Sequence, residues 1–228
     1  MKNLAIIPAR GGSKRIKNKN IKSFLGKPII EYSIEAALSS NLFDEVMVST
    51  DSSKIKDISK IAGAKVPFIR SKENSNDYAT LTDVIIEVYN DYISKGIKIH
   101  SICCILPTAP FVSDKLLREV YNEFLSKNLD SCFPIVKYNY PIERSFIQSE
   151  GKLKLSFPKH LKSRSQDLPT RFHDAGMFYW VNPNSLLKGA QIFNSNCNGI
   201  EIDEMIAQDI DNIDDWRKAE IKFKLLNA

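Results

Sequence analysis

The first 136 residues alternate short apolar runs with amphipathic segments, and that alternation leaves few folds open. Leu4–Pro8 reads as a strand stopped by proline. A loop runs from Ala9 to about Lys27, and a helix then starts with Pro28 at its first position, carrying Ile30, Ile34, Ala37 and Leu38 on one face. Glu45–Ser49 reads as a second strand, and Ile55, Ile58 and Ala62 mark a second helix closed by Gly63. Lys65–Ile69 is expected as a short third strand, and Thr80–Ile93 as a helix with Val84, Ile85, Val88 and Tyr92 in one stripe. Ser101–Leu106 is continuously apolar, as a strand covered on both faces must be. Leu116, Leu117, Val120 and Phe124 then give a helix, and Ser131–Val136 a strand. Strand and helix in turn imply a parallel sheet built from right-handed crossovers.

Beyond residue 136 the rhythm changes. Phe146–Phe157 reads as a hairpin around Glu150-Gly151, Met177–Val181 as an aromatic-rich strand, Gly199–Ile202 as another strand and Asp214–Leu226 as a closing helix. With 228 residues, 43% of them hydrophobic, residues 1–228 are expected to form one α/β domain, with a small antiparallel excursion at about 137–175. No run approaches the roughly 18 apolar residues of a membrane helix, and Leu4–Ile7 is too short for a secretory core, so a cytoplasmic protein is expected. Cys103, Cys104, Cys132 and Cys197 lack zinc-site spacing and read as buried thiols.

The net charge of +5 is concentrated. Residues 1–30 carry eight basic side chains and no acidic ones, whereas the other 198 residues hold 24 basic and 27 acidic. One concentrated basic loop indicates a compact anionic ligand more than a nucleic acid, which is met by charge spread along a face or tail. The loop reads Ala9-Arg10-Gly11-Gly12-Ser13-Lys14-Arg15-Ile16-Lys17-Asn18-Lys19-Asn20. It is neither a P-loop nor a dinucleotide glycine motif. It does follow the first strand, at the carboxyl end of a parallel sheet, where α/β proteins hold ligands and where backbone N–H groups and cations can neutralise phosphate. A solvated basic turn is the competing reading.

Ile7-Pro8-Ala9-Arg10-Gly11-Gly12-Ser13-Lys14, followed by Lys19-Asn20-Ile21, resembles the signature of the cytidylyltransferases that activate nonulosonic, sialic-type acids. Val48-Ser49-Thr50-Asp51, Arg70, Ala79-Thr80, Pro107-Thr108-Ala109-Pro110, Arg164-Ser165-Gln166-Asp167 and Asp209-Ile210-Asp211 keep that family's order, so the resemblance spans nearly the whole chain. Sialic acid synthetases tend to carry Gln where this chain has Leu106, which removes a polar contact to the sugar. Tyr140-Pro141-Ile142-Glu143-Arg144, Arg164–Leu168 and His173-Asp174-Ala175-Gly176 are similar to the pseudaminic acid branch.

The resemblance implies a Rossmann-like nucleotidyltransferase fold: a mainly parallel sheet flanked by helices, with a small antiparallel excursion used for dimerisation. It implies that the anomeric hydroxyl of a nine-carbon sugar acid attacks the α-phosphate of CTP, giving a CMP-sugar and pyrophosphate with Mg²⁺ as cofactor, in a homodimer that binds neither nucleic acid nor membrane. Such chemistry needs in-line positioning and neutralised phosphate charge. Arg10 can grip phosphate in a bidentate fork and Lys19 can act as a point charge, with Ser13 and the Gly11-Gly12 amides as neutral donors beside Pro8 and Ala9. By the same resemblance Asn20, Arg70 and Thr80 hold the nucleotide.

Asp209 and Asp211, two apart in an extended segment, can present both carboxylates to one Mg²⁺. Helix capping competes for these acids, with Asp214 or Asp215 the better cap candidate. Arg164, Gln166, Asp167, His173 and Asp174 are the candidate sugar pocket, Arg164 being the cation for the C1 carboxylate, and surface charge is the alternative for each. Arg144 is a cross-subunit candidate, because the excursion reaches across a dimer in related enzymes. Asp51 reads as a helix cap, His100 and His160 as structural, and Phe178, Tyr179 and Trp180 as core or dimer interface.

The same chemistry on N-acetylneuraminic or legionaminic acid is the nearest rival. A ketodeoxyoctonate enzyme is more distant, because the double-glycine loop with Lys19-Asn20-Ile21 argues against it. A non-enzymatic RNA-binding protein would use the basic loop differently, across many phosphates and with steep salt dependence.

Overall fold

The computed structural model describes residues 2–227. In chain order the elements are β1 (Lys2–Pro8), the two-residue strands β2 (Ser23–Phe24) and β3 (Lys27–Pro28), α1 (Ile29–Ser39), β4 (Glu45–Ser49), α2 (Ser53–Ile61), α3 (Leu81–Ser94), β5 (Ile99–Ile105), α4 (Asp114–Ser126) and β6 (Ser131–Lys137). The second half adds the hairpin β7 (Phe146–Ser149) and β8 (Lys152–Leu155), then β9 (Phe172–Asp174), β10 (Phe178–Val181), α5 (Pro183–Leu187), β11 (Cys197–Glu201) and α6 (Ile213–Leu226).

The seven-stranded sheet runs β11-β6-β10-β5-β1-β4, with β9 also on β6. β4, β1 and β5 are parallel, as are β6 and β11, while β9 and β10 are antiparallel to their neighbours. The period of two along β1 divides the core. Ala5 and Ile7 join Ile30, Ile34, Ile55 and Leu117 under α1, α2 and α4, whereas Leu4 and Ile6 join Ile85, Val88 and Tyr92 under α3. Each such Leu, Ile or Val side chain, removed from water on folding, contributes about 1.5–3 kcal/mol. Trp180 is fully buried in the first layer, stacked on Phe43 at 5.1 Å between ring centroids, with Phe178 in the same layer and Tyr179 buried in the opposite one. These three aromatics are therefore core.

Two local expectations are corrected. Lys65–Ile69 is no strand: Lys65 exchanges backbone bonds with Val46 and Val48 along the outer edge of β4, and Pro67, which has no N–H, ends the pairing at one bridge. Pro28 closes the β2–β3 hairpin and is the N-cap of α1 instead of its first residue. The strand expected at Met177–Val181 is present as β10 and lies inside the main sheet, between β5 and β6, while the β7–β8 hairpin forms a two-stranded sheet of its own.

β9 and β10 form one bent path along β6. Pro134 accepts the Ala175 N–H on that side at 2.9 Å but has no N–H to return, and Gly176, at φ +62°, turns the chain from β6 toward β5. That bend lies at the edge where the parallel strands end, beside Asp209: a Cβ on Gly176 would lie 3.2 Å from Asp209 Cβ. Cys103, Cys104 and Cys132 are buried, burial pushing the Cys104 and Cys132 thiols up to about 12, and Cys197 is half-buried. Among the described residues no helix is long and apolar enough to cross a membrane.

Candidate active site

The basic loop is held in shape by groups brought from elsewhere. Ala9 is fully buried and its N–H bonds Ser49 O at 2.9 Å, extending β1 alongside β4. The Gly11 N–H donates to Asp51 Oδ1 at 2.7 Å, so this amide, expected to face phosphate, is already engaged. A Cβ at Gly11 would come 3.1 Å from Ser52 Cβ, a tight approach that glycine avoids. Ser13 N bonds back to Gly11 O at 3.1 Å, and the buried Asn20 donates its amide to Arg10 O at 3.0 Å. Beneath the loop the buried Arg70 donates to Ser49 Oγ at 2.9 Å and Ser49 O at 2.5 Å, and burial pulls its guanidinium below the ordinary value, against the charge of Asp51. Asp51 is not a cap, since Ser52 caps α2 by accepting from Ile55 N. Thr80 is one: its hydroxyl accepts from Asp83 N at 3.2 Å at the start of α3, beside the cleft.

The loop walls a hollow of about 610 Å³, reaching from Pro8, Arg10 and Ser13 through Lys19 and Asn20 to Asp209 and Asp211. Ile210, fully buried with Phe24 and Trp216, anchors the acidic segment, and the flanking Asp209 and Asp211 both face this hollow. Arg15 Nη2 lies 2.8 Å from Asp211 Oδ1, and Lys19 Nζ donates to Ile210 O at 2.6 Å and stands 3.9 Å from Asp211. Burial pulls the Lys19 ammonium down, opposed by Asp211 and Asp209. Asp209 is pushed up, first by burial and then by Asp211. The helix cap here is Asn212, which accepts from Asp214 and Asp215 backbone N–H while Asp215 closes the capping box, so Asp209 and Asp211 are left for other work.

Two crowded carboxylates in a partly buried cleft fit a hard divalent cation. Among the described residues no group of three or more His, Cys, Asp or Glu side chains is placed to hold a metal. A small hard cation of this kind typically takes one or two protein carboxylates and fills its shell with phosphate and water, so a pair is sufficient.

Asp209 also borders a second hollow, of about 530 Å³, formed by the ends of β6 and β9 with Lys137, Tyr138, His173 and Asp174. His173 lies 4.9 Å from the Tyr138 ring centroid. Asp174 Oδ2 accepts from Tyr179 Oη at 2.7 Å and Gly176 N at 3.2 Å, and burial followed by this bond pushes the Tyr179 phenol well up. Gln166 borders an adjoining hollow with Tyr138 and Arg171. Arg144, Arg164 and Asp167 border none of these three: Arg164 pairs with Asp167 at 2.7 Å and Arg144 donates to Ser163 O at 2.8 Å. Of the sugar candidates, His173 and Asp174 are thus the two beside Asp209.

Asp51, Lys14, Arg15 and Asp77 have roles at the site that sequence reasoning did not assign. Lys14 and Arg15 were visible as basic loop residues, but their partners Asp77 and Asp211 lie 63 and 196 positions away.

A mixed sheet with a parallel β4-β1-β5 half and an engaged basic loop after its first strand, facing a carboxylate pair across a cleft, defines a nucleotidyltransferase. The chain belongs to the cytidylyltransferase family, whose model matches residues 4–216. It is 42% identical over 226 residues to a pseudaminic acid cytidylyltransferase of Campylobacter jejuni, covering 99% of this chain and 97% of that one. Over 137 residues, 59% of each chain, it is 35% identical to a CMP-N,N'-diacetyllegionaminic acid synthase of Legionella pneumophila. Its fold is shared with a CMP:2-keto-3-deoxy-manno-octonic acid synthetase solved with CTP, at TM-score 0.72 and 16% identity, over 99% of this chain and 100% of that one.

Proposed function

We propose that the protein transfers CMP from CTP to the anomeric hydroxyl of pseudaminic acid, releasing pyrophosphate. The observation that carries the reading is that Asp209 belongs to both hollows: a basic one suited to a nucleoside triphosphate and a mixed polar one suited to a sugar acid meet at one carboxylate. The near full-length identity to a pseudaminic acid cytidylyltransferase supports this acid over the legionaminic one, whose match covers 59% of the chain.

The residues divide the work. Arg10, Lys14, Arg15 and Lys19 surround the nucleotide hollow and neutralise phosphate oxygens, as donors already arranged around the place where the charge sits. Asn20 and Asp51 hold the loop that carries Arg10. Asp209 and Asp211 would hold Mg²⁺, which supplies electrophilic stabilisation of the α-phosphate and the departing pyrophosphate. His173 and Asp174 hold the sugar acid so that its hydroxyl faces the α-phosphate, reducing the encounter to a positioned one. The cations of the loop already pair with Asp77 and Asp211, and this internal neutralisation supports a small anion over a nucleic acid as partner. Phe146, Ile147 and Leu153 stand exposed on the β7–β8 hairpin, which supports its use as the contact of a homodimer.

The test is pyrophosphate release with CTP and Mg²⁺, using pseudaminic, legionaminic and N-acetylneuraminic acids in parallel. Release with pseudaminic acid alone is expected. Release with another of the three keeps the chemistry and overturns the acid. Silence with all three from folded protein that binds CTP removes the reading.

A further inference from the structure

Residues 71–80, between Arg70 and α3, arch over the front of the basic loop. The base of the arch is tied down: Glu87 of α3 accepts from the Ser71 N–H and hydroxyl, both at 2.8 Å, and from the Asn74 amide. Near the tip, Asn76 Oδ1 accepts from the Tyr78 and Ala79 N–H groups at 2.7 and 3.0 Å, a local turn that returns Asp77 to the nucleotide hollow. There Asp77 Oδ1 lies 2.8 Å from Arg10 Nη1, and Asp77 Oδ2 pairs with the Lys14 ammonium. Arg10 Nη1 also donates to Asn76 O at 2.7 Å. One carboxylate therefore engages both cations at the front of the loop.

We propose that Asp77 is a built-in stand-in for phosphate: its carboxylate holds Arg10 and Lys14 until the triphosphate of CTP displaces it, and its return helps expel pyrophosphate. This rests on the nucleotide reading of the hollow. Carboxylate and phosphate oxygens are the same kind of acceptor for a guanidinium and an ammonium, so one can occupy the seat of the other. The pairing is suitably weak. The Arg10 and Asp77 side chains are 33% and 41% exposed, so solvent and salt screen the contact, and a ligand carrying several charges outcompetes a single carboxylate. Hydrogen bonds from Lys14 and Arg10 keep the Asp77 carboxyl below the usual carboxylate range, so it stays charged and competent at neutral pH. The apparent affinity of the site is then the intrinsic affinity reduced by the fraction of molecules whose cations are free. As a positioning residue, Asp77 keeps two like charges arranged in the empty cleft at the cost of some ligand affinity.

Binding of CTP, inorganic pyrophosphate and cytidine is measured by calorimetry on the wild-type chain, Asp77→Asn and Asp77→Glu. Asp77→Asn is expected to bind CTP and pyrophosphate roughly two- to tenfold more tightly, to bind cytidine unchanged, and to show a lower CTP KM without a higher kcat. Asp77→Glu, which keeps the charge, is expected to fall between Asp77→Asn and wild type. Equal or weaker pyrophosphate binding by Asp77→Asn overturns the stand-in while leaving the nucleotide reading in place. If wild type binds neither CTP nor pyrophosphate, or Arg10→Ala binds both as wild type does, the nucleotide reading falls and the stand-in with it.

Discussion

Asp51, two residues beyond the end of β4, accepts the Gly11 N–H at 2.7 Å and so ties the end of one strand to the loop that follows its parallel neighbour. A hydrogen bond to a charged acceptor is worth about 1.5–3 kcal/mol, and here it sets the position of Arg10 next door. Asp51→Ala is expected to lower kcat/KM for CTP roughly tenfold or more, with a small change in Tm and little change in the KM of the sugar acid. Steady-state kinetics with each substrate varied in turn checks this. An equal rise in both KM values would instead mean general loosening of the cleft.

The pair Asp209 and Asp211 is predicted to act through the divalent ion. Asp211→Ala should fold normally, because Ile210 still anchors the segment against Phe24 and Trp216. It should lose at least about a hundredfold in turnover and need more Mg²⁺ to reach half its maximal rate. Asp209→Asn should behave alike, with an added rise in the sugar-acid KM because Asp209 borders that hollow too. A Mg²⁺ titration of rate, with circular dichroism to confirm folding, separates these outcomes, and near-normal turnover in Asp211→Ala would remove the metal site.

The alternation of β1, α1, β4, α2, α3, β5, α4 and β6 was legible because each element carries its own period, and Ile7 or Leu117 could be assigned to the core on spacing alone. The loop was legible as an anion site for a similar reason: its charges are consecutive. What could not be read was which groups occupy those charges. Asp51 looked like a cap because it precedes a helix, yet Ser52 takes that role, and only the parallel pairing of β1 with β4 brings Asp51 to Gly11. The insertion of β10 between β5 and β6 was equally hidden. It depends on the missing N–H of Pro134 and the positive φ of Gly176, neither of which says which strands they will separate.

Glu87 gives a pH dependence with a definite sign. Burial raises its carboxyl, but the Ser71 N–H, the Asn74 amide, the Ser71 hydroxyl and the charge of Arg70 more than offset that and hold it below its ordinary value. A carboxyl depressed in the folded state contributes stability that is present above its unfolded pKa, near 4.5, and is lost as pH falls through the folded value. Glu87→Gln is therefore expected to melt about 3–6 °C below wild type at pH 7, with the gap closing in acid below about pH 4. Thermal melts of both proteins across that range are the measurement. A gap that stays constant with pH would assign the loss to packing.

His173 should report on the acid and not on the nucleotide. It sits in the middle of β9, its ring 4.9 Å from that of Tyr138, on the wall of the hollow that meets the nucleotide site only at Asp209. Its Nδ1 lies 2.8 Å from Asp174 O, which fixes the ring and leaves Nε2 as the polar atom for a sugar substituent. Removing one such contact costs about 1 kcal/mol, and about 1.4 kcal/mol is tenfold in an equilibrium constant. His173→Ala is accordingly expected to raise the KM for the sugar acid roughly two- to tenfold while leaving the CTP KM and the Mg²⁺ requirement within a factor of about two. Arg164→Ala is the control, since Arg164 pairs with Asp167 and borders neither hollow of its own chain. A larger rise in Arg164→Ala than in His173→Ala, abolished on dilution to monomer, would show that a second copy delivers Arg164 to the hollow and that the acid is held mainly across the dimer.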